Sequence, residues 1–205
     1  MIQRFVHGWG FDGRFWEPLA ARLTSWRQSV AERGYFGGSS EPEPDEPFVA
    51  VAHSFGAMRV LADASPQCRG LIAINGFDRF AGIPARVIDR MVTMLDRDPA
   101  RVVQDFRMRI GTTDAFGTPD AALLAQDLRI MRDDDCSGIT ALASFPILSI
   151  QADCDPLLPQ PLRERAFKTA PDLQRRNMAN GGHLLPQTHP DACAQAVSAF
   201  MERLT

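Results

Sequence analysis

Ser54 follows an apolar run, Phe48 to His53, and precedes a helix-like stretch, in the order Ala52-His53-Ser54-Phe55-Gly56. A serine at such a junction, with small residues two positions to either side, suits a turn so tight that it lifts the hydroxyl above the strand ends. That hydroxyl is a weak nucleophile until a base takes its proton, and the base needs an acid to hold its tautomer and steady its positive charge. The chain has four histidines. His183 lies in "NGGHLLP", a glycine-rich loop between the last predicted strand and the last predicted helix, where a positioned base belongs. His189, in "THPD", reads as a helix-start residue. For the acid, "FPILSIQADCDPLLP" offers Asp153 and Asp155, both after a strand and before His183, and spacing alone does not choose between them. Acyl transfer also needs donors for an oxyanion. The backbone N–H of Phe55 is one, and the loop "HGWG", residues 7 to 10, can present that of Trp9.

The elements that must carry these residues alternate. Strands are predicted at Ile2 to Val6, Gln28 to Glu32, Phe48 to His53, Gly70 to Asn75, Phe145 to Ala152 and Leu173 to Met178, all as buried runs. Helix-period segments lie at Trp16 to Leu23, Gly56 to Asp63, Leu162 to Thr169 and Asp191 to Leu204. Such alternation implies an α/β fold with a mostly parallel sheet flanked by helices. The connection "GGSSEPEPDEP", residues 37 to 47, carries too many prolines for a crossover helix and is expected to be an exposed, stiff loop. Between Asn75 and Phe145 helix signals replace strands, over 86 to 95, 98 to 110, and after Thr118-Pro119-Asp120, read as N-cap, first helical residue and first-turn acid. We therefore expect a core of residues 1–76 and 145–205 and a helical lid, 77–144, inserted in it.

A length of 205 residues suits a single well-buried core. A net charge of -3 excludes the basic footprint of a dedicated nucleic-acid binder. Cys68, Cys136, Cys154 and Cys193 are dispersed, with no histidine at metal-ligand spacing, and read as small buried residues in a reducing compartment. No metal or cofactor is expected. No apolar run nears the roughly 20 residues that span a bilayer, and the start "IQRFVHGWG" leaves no room for a signal peptide. A cytoplasmic protein, monomer or small homo-oligomer, is expected.

With "HGWGFDGRFW", "ERGYFGGS", "VAHSFGA", "QADCDPLLP" and "GGHLLPQTHPD" in view, the chain resembles the α/β-hydrolase superfamily over almost its whole length. The resemblance implies the order serine, acid, base, which excludes His7 and His53 as the base, and a Gly-x-x-Asp turn that Ala152-Asp153-Cys154-Asp155 follows, favouring Asp155. "HGWG" with Trp16 six residues on, and "AGIPARVIDRMVTMLDRDPARVVQDFRMR", residues 81 to 109, are similar to the pimeloyl-acyl-carrier-protein methyl ester esterases of biotin synthesis. That likeness implies an acyl pocket lined by Trp9 and Phe106, with Met91 and Met94 as neighbours. It also implies an acidic carrier protein as partner, which the lid arginines Arg79, Arg86, Arg90, Arg97, Arg101, Arg107 and Arg109 could meet. Interleaved Asp89, Asp96, Asp98 and Asp105 leave a salt-bridged, solvated face as the other reading. Two departures stand out. The family has two further strands before the "HG" loop, and a helix where "GGSSEPEPDEP" stands. Lactonases, cofactor-free haloperoxidases, a lyase of menaquinone synthesis, a general short-chain carboxylesterase and a non-catalytic binding module are the rival readings.

Overall fold

The computed structural model describes residues 1–80 and 83–204. Ala81 and Gly82, which open the stretch compared above with the esterases, and Thr205 lie outside the described residues. Six strands, β1 (Ile2–Val6), β2 (Arg27–Val30), β3 (Phe48–His53), β4 (Cys68–Ile74), β5 (Ile147–Ala152) and β6 (Leu173–Met178), form one sheet in the order β2-β1-β3-β4-β5-β6. Every neighbouring pair is parallel. The chain moves outward from β1 to β2 on one side, and from β3 through β6 on the other. The C-terminal ends of β1 and β3 therefore part at a topological switch point, the crevice where open α/β sheets bind ligands.

The inner strands are buried along their length, β1, β3 and β5 at every residue. Val49, Val51, Leu71, Ile72, Ile147 and Ile150 are wholly buried, each contributing about 1.5–3 kcal/mol against leaving it in water. The outermost strands do not fit the expectation of buried runs. β2 and β6 are largely solvent-facing, because each pairs on one side only, and polar Arg27, Gln28, Arg175 and Arg176 suit that position. The proline-rich stretch 37 to 47 contains neither helix nor strand. It covers the outer edge of β2: Glu41 N–H donates to the Val30 carbonyl, Val30 N–H donates to Glu41 Oε2, and buried Arg4 donates to the carbonyls of Glu41 and Pro42.

Around the sheet stand α1 (Glu17–Ala20), preceded by a 3-10 turn at Gly13–Trp16, then α2 (Gly56–Asp63), α7 (Gln160–Arg165), α8 (Leu185–Thr188) and α9 (Pro190–Glu202). The stretch expected as one helix from Trp16 to Leu23 is thus broken into short pieces. The helix expected to reach Thr169 stops at Arg165, and Phe167 takes a left-handed φ of 56° with its N–H on Asp78 Oδ1. His189 does sit at the N-cap of α9.

Four helices intervene between β4 and β5: α3 (Ala85–Leu95), α4 (Pro99–Ile110), α5 (Ala121–Asp133) and α6 (Ser137–Ala141). The Asp98 carboxylate caps α4 through Arg101 N–H, Pro99 opens it, and Gly111 ends it at a φ of 96°. The cap of α5 is Asp120 rather than Thr118: its carboxylate accepts Leu123 N–H, while its own N–H donates to the Tyr35 carbonyl. Cys68, Cys136 and Cys193 are buried as expected, but Cys154 is exposed on the loop after β5.

Candidate active site

Ser54 occupies the turn from β3 into α2 with a φ of 53°, the strained left-handed geometry of a sharp strand-to-helix corner. Its N–H donates to the Ile74 carbonyl and its carbonyl accepts Ala57 N–H. Glycine is required at 56, because a Cβ there would lie 2.4 Å from the Val6 carbonyl oxygen and 2.8 Å from that of His7. Gly8 is confined less severely: a Cβ would meet His53 Nδ1 at 2.9 Å and Ser54 Cβ at 3.1 Å. Ala52, by contrast, is an ordinary buried residue of β3 paired with Val6 and Ala73, so its methyl is accommodated.

The structure brings Asp155 and His183 together and leaves Asp153 out. His183 Nδ1 donates to Asp155 Oδ2 at 2.7 Å, and Asp155 Oδ1 accepts the N–H of Leu157 and Leu158 at 2.8 and 3.2 Å. Both side chains are buried, whereas Asp153 is exposed. A carboxylate can only accept, so Nδ1 carries the proton and Nε2 holds the lone pair. That Nε2 is buried and has no hydrogen-bond partner among the described residues.

Sequence reasoning did not single out two residues that hold the His183 loop. Asn75 Nδ2 donates to the carbonyls of Gly182 and His183, while its Oδ1 accepts Ala152 N–H from the end of β5. Asn75 thus ties the His183 loop to the strand that leads to Asp155. His53 Nε2 donates to the same His183 carbonyl, and its ring stacks on Phe15 at 4.4 Å. Burial holds His53 neutral, well below the ordinary imidazole range. Asn75 takes a left-handed φ of 47°, a region that asparagine favours.

The loop after β1 is gripped from several sides. His7 Nδ1 donates to the Gly8 carbonyl at 3.0 Å, and its Nε2 lies 2.9 Å from Glu32 Oε1. Burial alone would raise the Glu32 carboxyl, but His7 and the N–H groups of Gly34 and Gly13 outweigh it and hold the carboxyl at about 2. The Trp9 indole N–H donates to the Leu124 carbonyl of α5. Neither the Trp9 nor the Phe55 backbone N–H has an acceptor among the described residues, which leaves both free to donate.

A cavity of about 370 Å³ opens where β1 and β3 part. Ser54, His183, Trp9, Phe106, Met91 and Met94 all line it, with further apolar walls from Phe77, Phe80, Leu157 and Leu158. Arg90, Arg101 and Arg109 stand at its border, exposed; Arg101 pairs with Asp105, and Arg79 with Asp135. Arg107 does not belong to that surface. It is 4% exposed, donates to the carbonyls of Gly10 and Asp114, and lies over the rings of Phe11, Phe36 and Phe116. Its place in α4 explains this, since Val103, Arg107 and Ile110 share one inward face.

Residues 5–196 match the alpha/beta hydrolase family. The chain belongs to this family. Among relatives of this alpha/beta hydrolase are the pimeloyl-[acyl-carrier protein] methyl ester esterases of Yersinia enterocolitica and Xanthomonas campestris, each 24% identical. The alignments cover 97% of this chain and 92% and 94% of those proteins. In fold the hydrolase is similar to a bromoperoxidase from Bacillus anthracis, at a TM-score of 0.84, 15% identity and coverage of 98% and 91%. It is likewise similar to the enol-lactonase from Burkholderia xenovorans LB400, at a TM-score of 0.84 and 14% identity, with the same coverage. No helix among the described residues is long and apolar enough to cross a membrane.

Proposed function

We propose that this alpha/beta hydrolase is a cytoplasmic serine carboxylesterase that cleaves acyl methyl esters, with a pimeloyl chain on acyl carrier protein as its substrate. One observation carries the reading: the His183–Asp155 pair leaves a buried, unpartnered Nε2 lining the same cavity as Ser54. In this scheme Nε2 takes the Ser54 proton as Oγ adds to the ester carbonyl. The Trp9 and Phe55 N–H groups hold the resulting oxyanion. His183 then protonates the departing methanol, and a water deprotonated by His183 attacks the acyl-serine, releasing the carboxylic acid and restoring the serine. Residues 77–144 act as a lid over the acyl pocket, with Trp9, Phe106, Met91 and Met94 against the chain.

The relatives' names supply the methyl ester and the carrier, and the apolar walls of the cavity suit an aliphatic chain. The exposed guanidinium groups at its border suit an acidic partner. A fluorophosphonate probe is expected to label the wild type and not Ser54→Ala; labelling of both variants sinks the serine mechanism. For the carrier, Arg101→Glu is expected to lower kcat/KM on the carrier-linked methyl ester roughly fivefold, the upper range for one exposed ion pair. A small soluble ester should be nearly unaffected. Equal losses on the two substrates would remove the carrier from the scheme.

A further inference from the structure

We propose that Arg107 is a positioning residue through which helix α4 sets the oxyanion donor at Trp9; the inference rests on the serine mechanism above. The guanidinium makes three hydrogen bonds, all to backbone carbonyls. Nε and Nη2 donate to the Gly10 carbonyl at 3.0 and 2.9 Å, and Nη1 donates to that of Asp114 at 3.1 Å. Its cation is ringed by the faces of Phe11, Phe36 and Phe116, at 4.9, 5.4 and 4.9 Å from the centroids. No carboxylate forms an ion pair with it among the described residues. Asp12 and Asp114 favour its charge only from a distance, and burial outweighs them; a buried cation with no direct ion pair is a poor way to fill an apolar helix face, where a methionine would pack without desolvation. The side chain is better explained by what it holds.

It holds the far end of the loop that carries Trp9. The near end is fixed by His7, whose Nδ1 donates to the Gly8 carbonyl, and that carbonyl shares a peptide plane with Trp9 N–H. The far end is Gly10, at a left-handed φ of 71°, with the forked guanidinium on its carbonyl. Between the two the Trp9 ring packs edge-on against Phe106 of α4, the residue next to Arg107, at 4.9 Å. The inserted helix and the oxyanion loop are thus one mechanical unit. Val102, Asp105 and Phe106 of the same helix line the cavity, so the surface that meets the acyl chain and the group that holds the donor move together.

The test uses Arg107→Met and Arg107→Lys, each with its active sites counted by fluorophosphonate titration. Substrate is p-nitrophenyl butyrate. The inhibitor is an aliphatic trifluoromethyl ketone: Ser54 Oγ adds to its carbonyl, the proton passes to His183 Nε2, and the adduct keeps an oxyanion. Arg107→Met is expected to lower kcat per titrated site by about 10²-fold, the loss of one oxyanion donor, with KM little changed. Ki for the ketone is expected to rise by the same factor, and Arg107→Lys to recover part of both losses. A merely structural role would reduce the number of titratable sites and leave kcat per site and Ki as they were, which would overturn the proposal. If Arg107→Met does not fold, Arg107→Lys decides by the same parallel change in kcat and Ki. A wild type that the fluorophosphonate does not label overturns the serine mechanism and this inference together. Normal labelling with unchanged kcat and Ki overturns this inference alone.

Discussion

Ser54→Ala and His183→Ala are each expected to lower kcat on a carboxylic ester by on the order of 10⁶-fold, and the double variant to be no worse than either. The reason lies in how the two side chains depend on each other. The Ser54 hydroxyl has no use as a nucleophile without a proton acceptor, and His183 Nε2 is buried without a partner in the cavity that Ser54 lines. Removing one leaves nothing for the other to do, so the second loss costs little more. Ser54→Ala leaves the fold's contacts in place, whereas His183→Ala takes one partner from the buried Asp155 carboxylate, which is why rates are compared per folded protein. Alanine tolerates the left-handed corner of position 54, since Ala64 in this chain already has a φ of 44°. His183 is anchored largely through its backbone carbonyl, by Asn75 and His53. Steady-state rates with an activated ester, normalised to folded protein, check the prediction. Losses that multiply in the double variant would mean that the two residues act independently, contrary to the scheme.

Much of this site was legible because it is written along the chain. The candidate residues stand at strand-to-helix junctions, and apolar runs mark the strands, so Ser54, the "HGWG" loop and His183 could be placed before any contact was known. The small residues around Ser54 speak directly of sterics. Only packing tells the two apart: position 56 faces the carbonyls of Val6 and His7 and demands glycine, whereas Ala52 lies within a strand, where its methyl fits. What failed was of two kinds, a spacing left unread and bonds that only packing supplies. Arg107 looked like one more charge on a helix rich in alternating acids and arginines. Its spacing of four from Val103 and three from Ile110 was the overlooked sign that it belongs to the apolar stripe. Asn75 and His53 act on residues more than a hundred positions away, and no local pattern announces such bonds. The outer strands were overestimated for a related reason: a short apolar run does not say whether its strand has one neighbour or two.

The choice between Asp153 and Asp155 is where geometry adds most, and it leads to a sharp expectation. Asp155→Asn should lower kcat at neutral pH by about 10⁴-fold, whereas Asp153→Asn should change it little. Asp155 uses its two oxygens differently. Oδ1 accepts the N–H groups of Leu157 and Leu158, and Oδ2 accepts the proton of His183 Nδ1. In the asparagine variant the amide oxygen must stay with the two backbone donors, because an NH₂ group there would meet N–H against N–H. The NH₂ then faces His183 and donates to Nδ1, which forces the imidazole proton onto Nε2. The base is lost while the shape of the site is kept, so KM and folding stability are expected to change far less than kcat. Exposed Asp153 has no such role: its backbone N–H donates to the Met178 carbonyl. Comparing the two variants by kcat and by thermal unfolding separates loss of the tautomer from loss of structure. A large kcat loss in Asp153→Asn with a normal Asp155→Asn would move the acid two residues back.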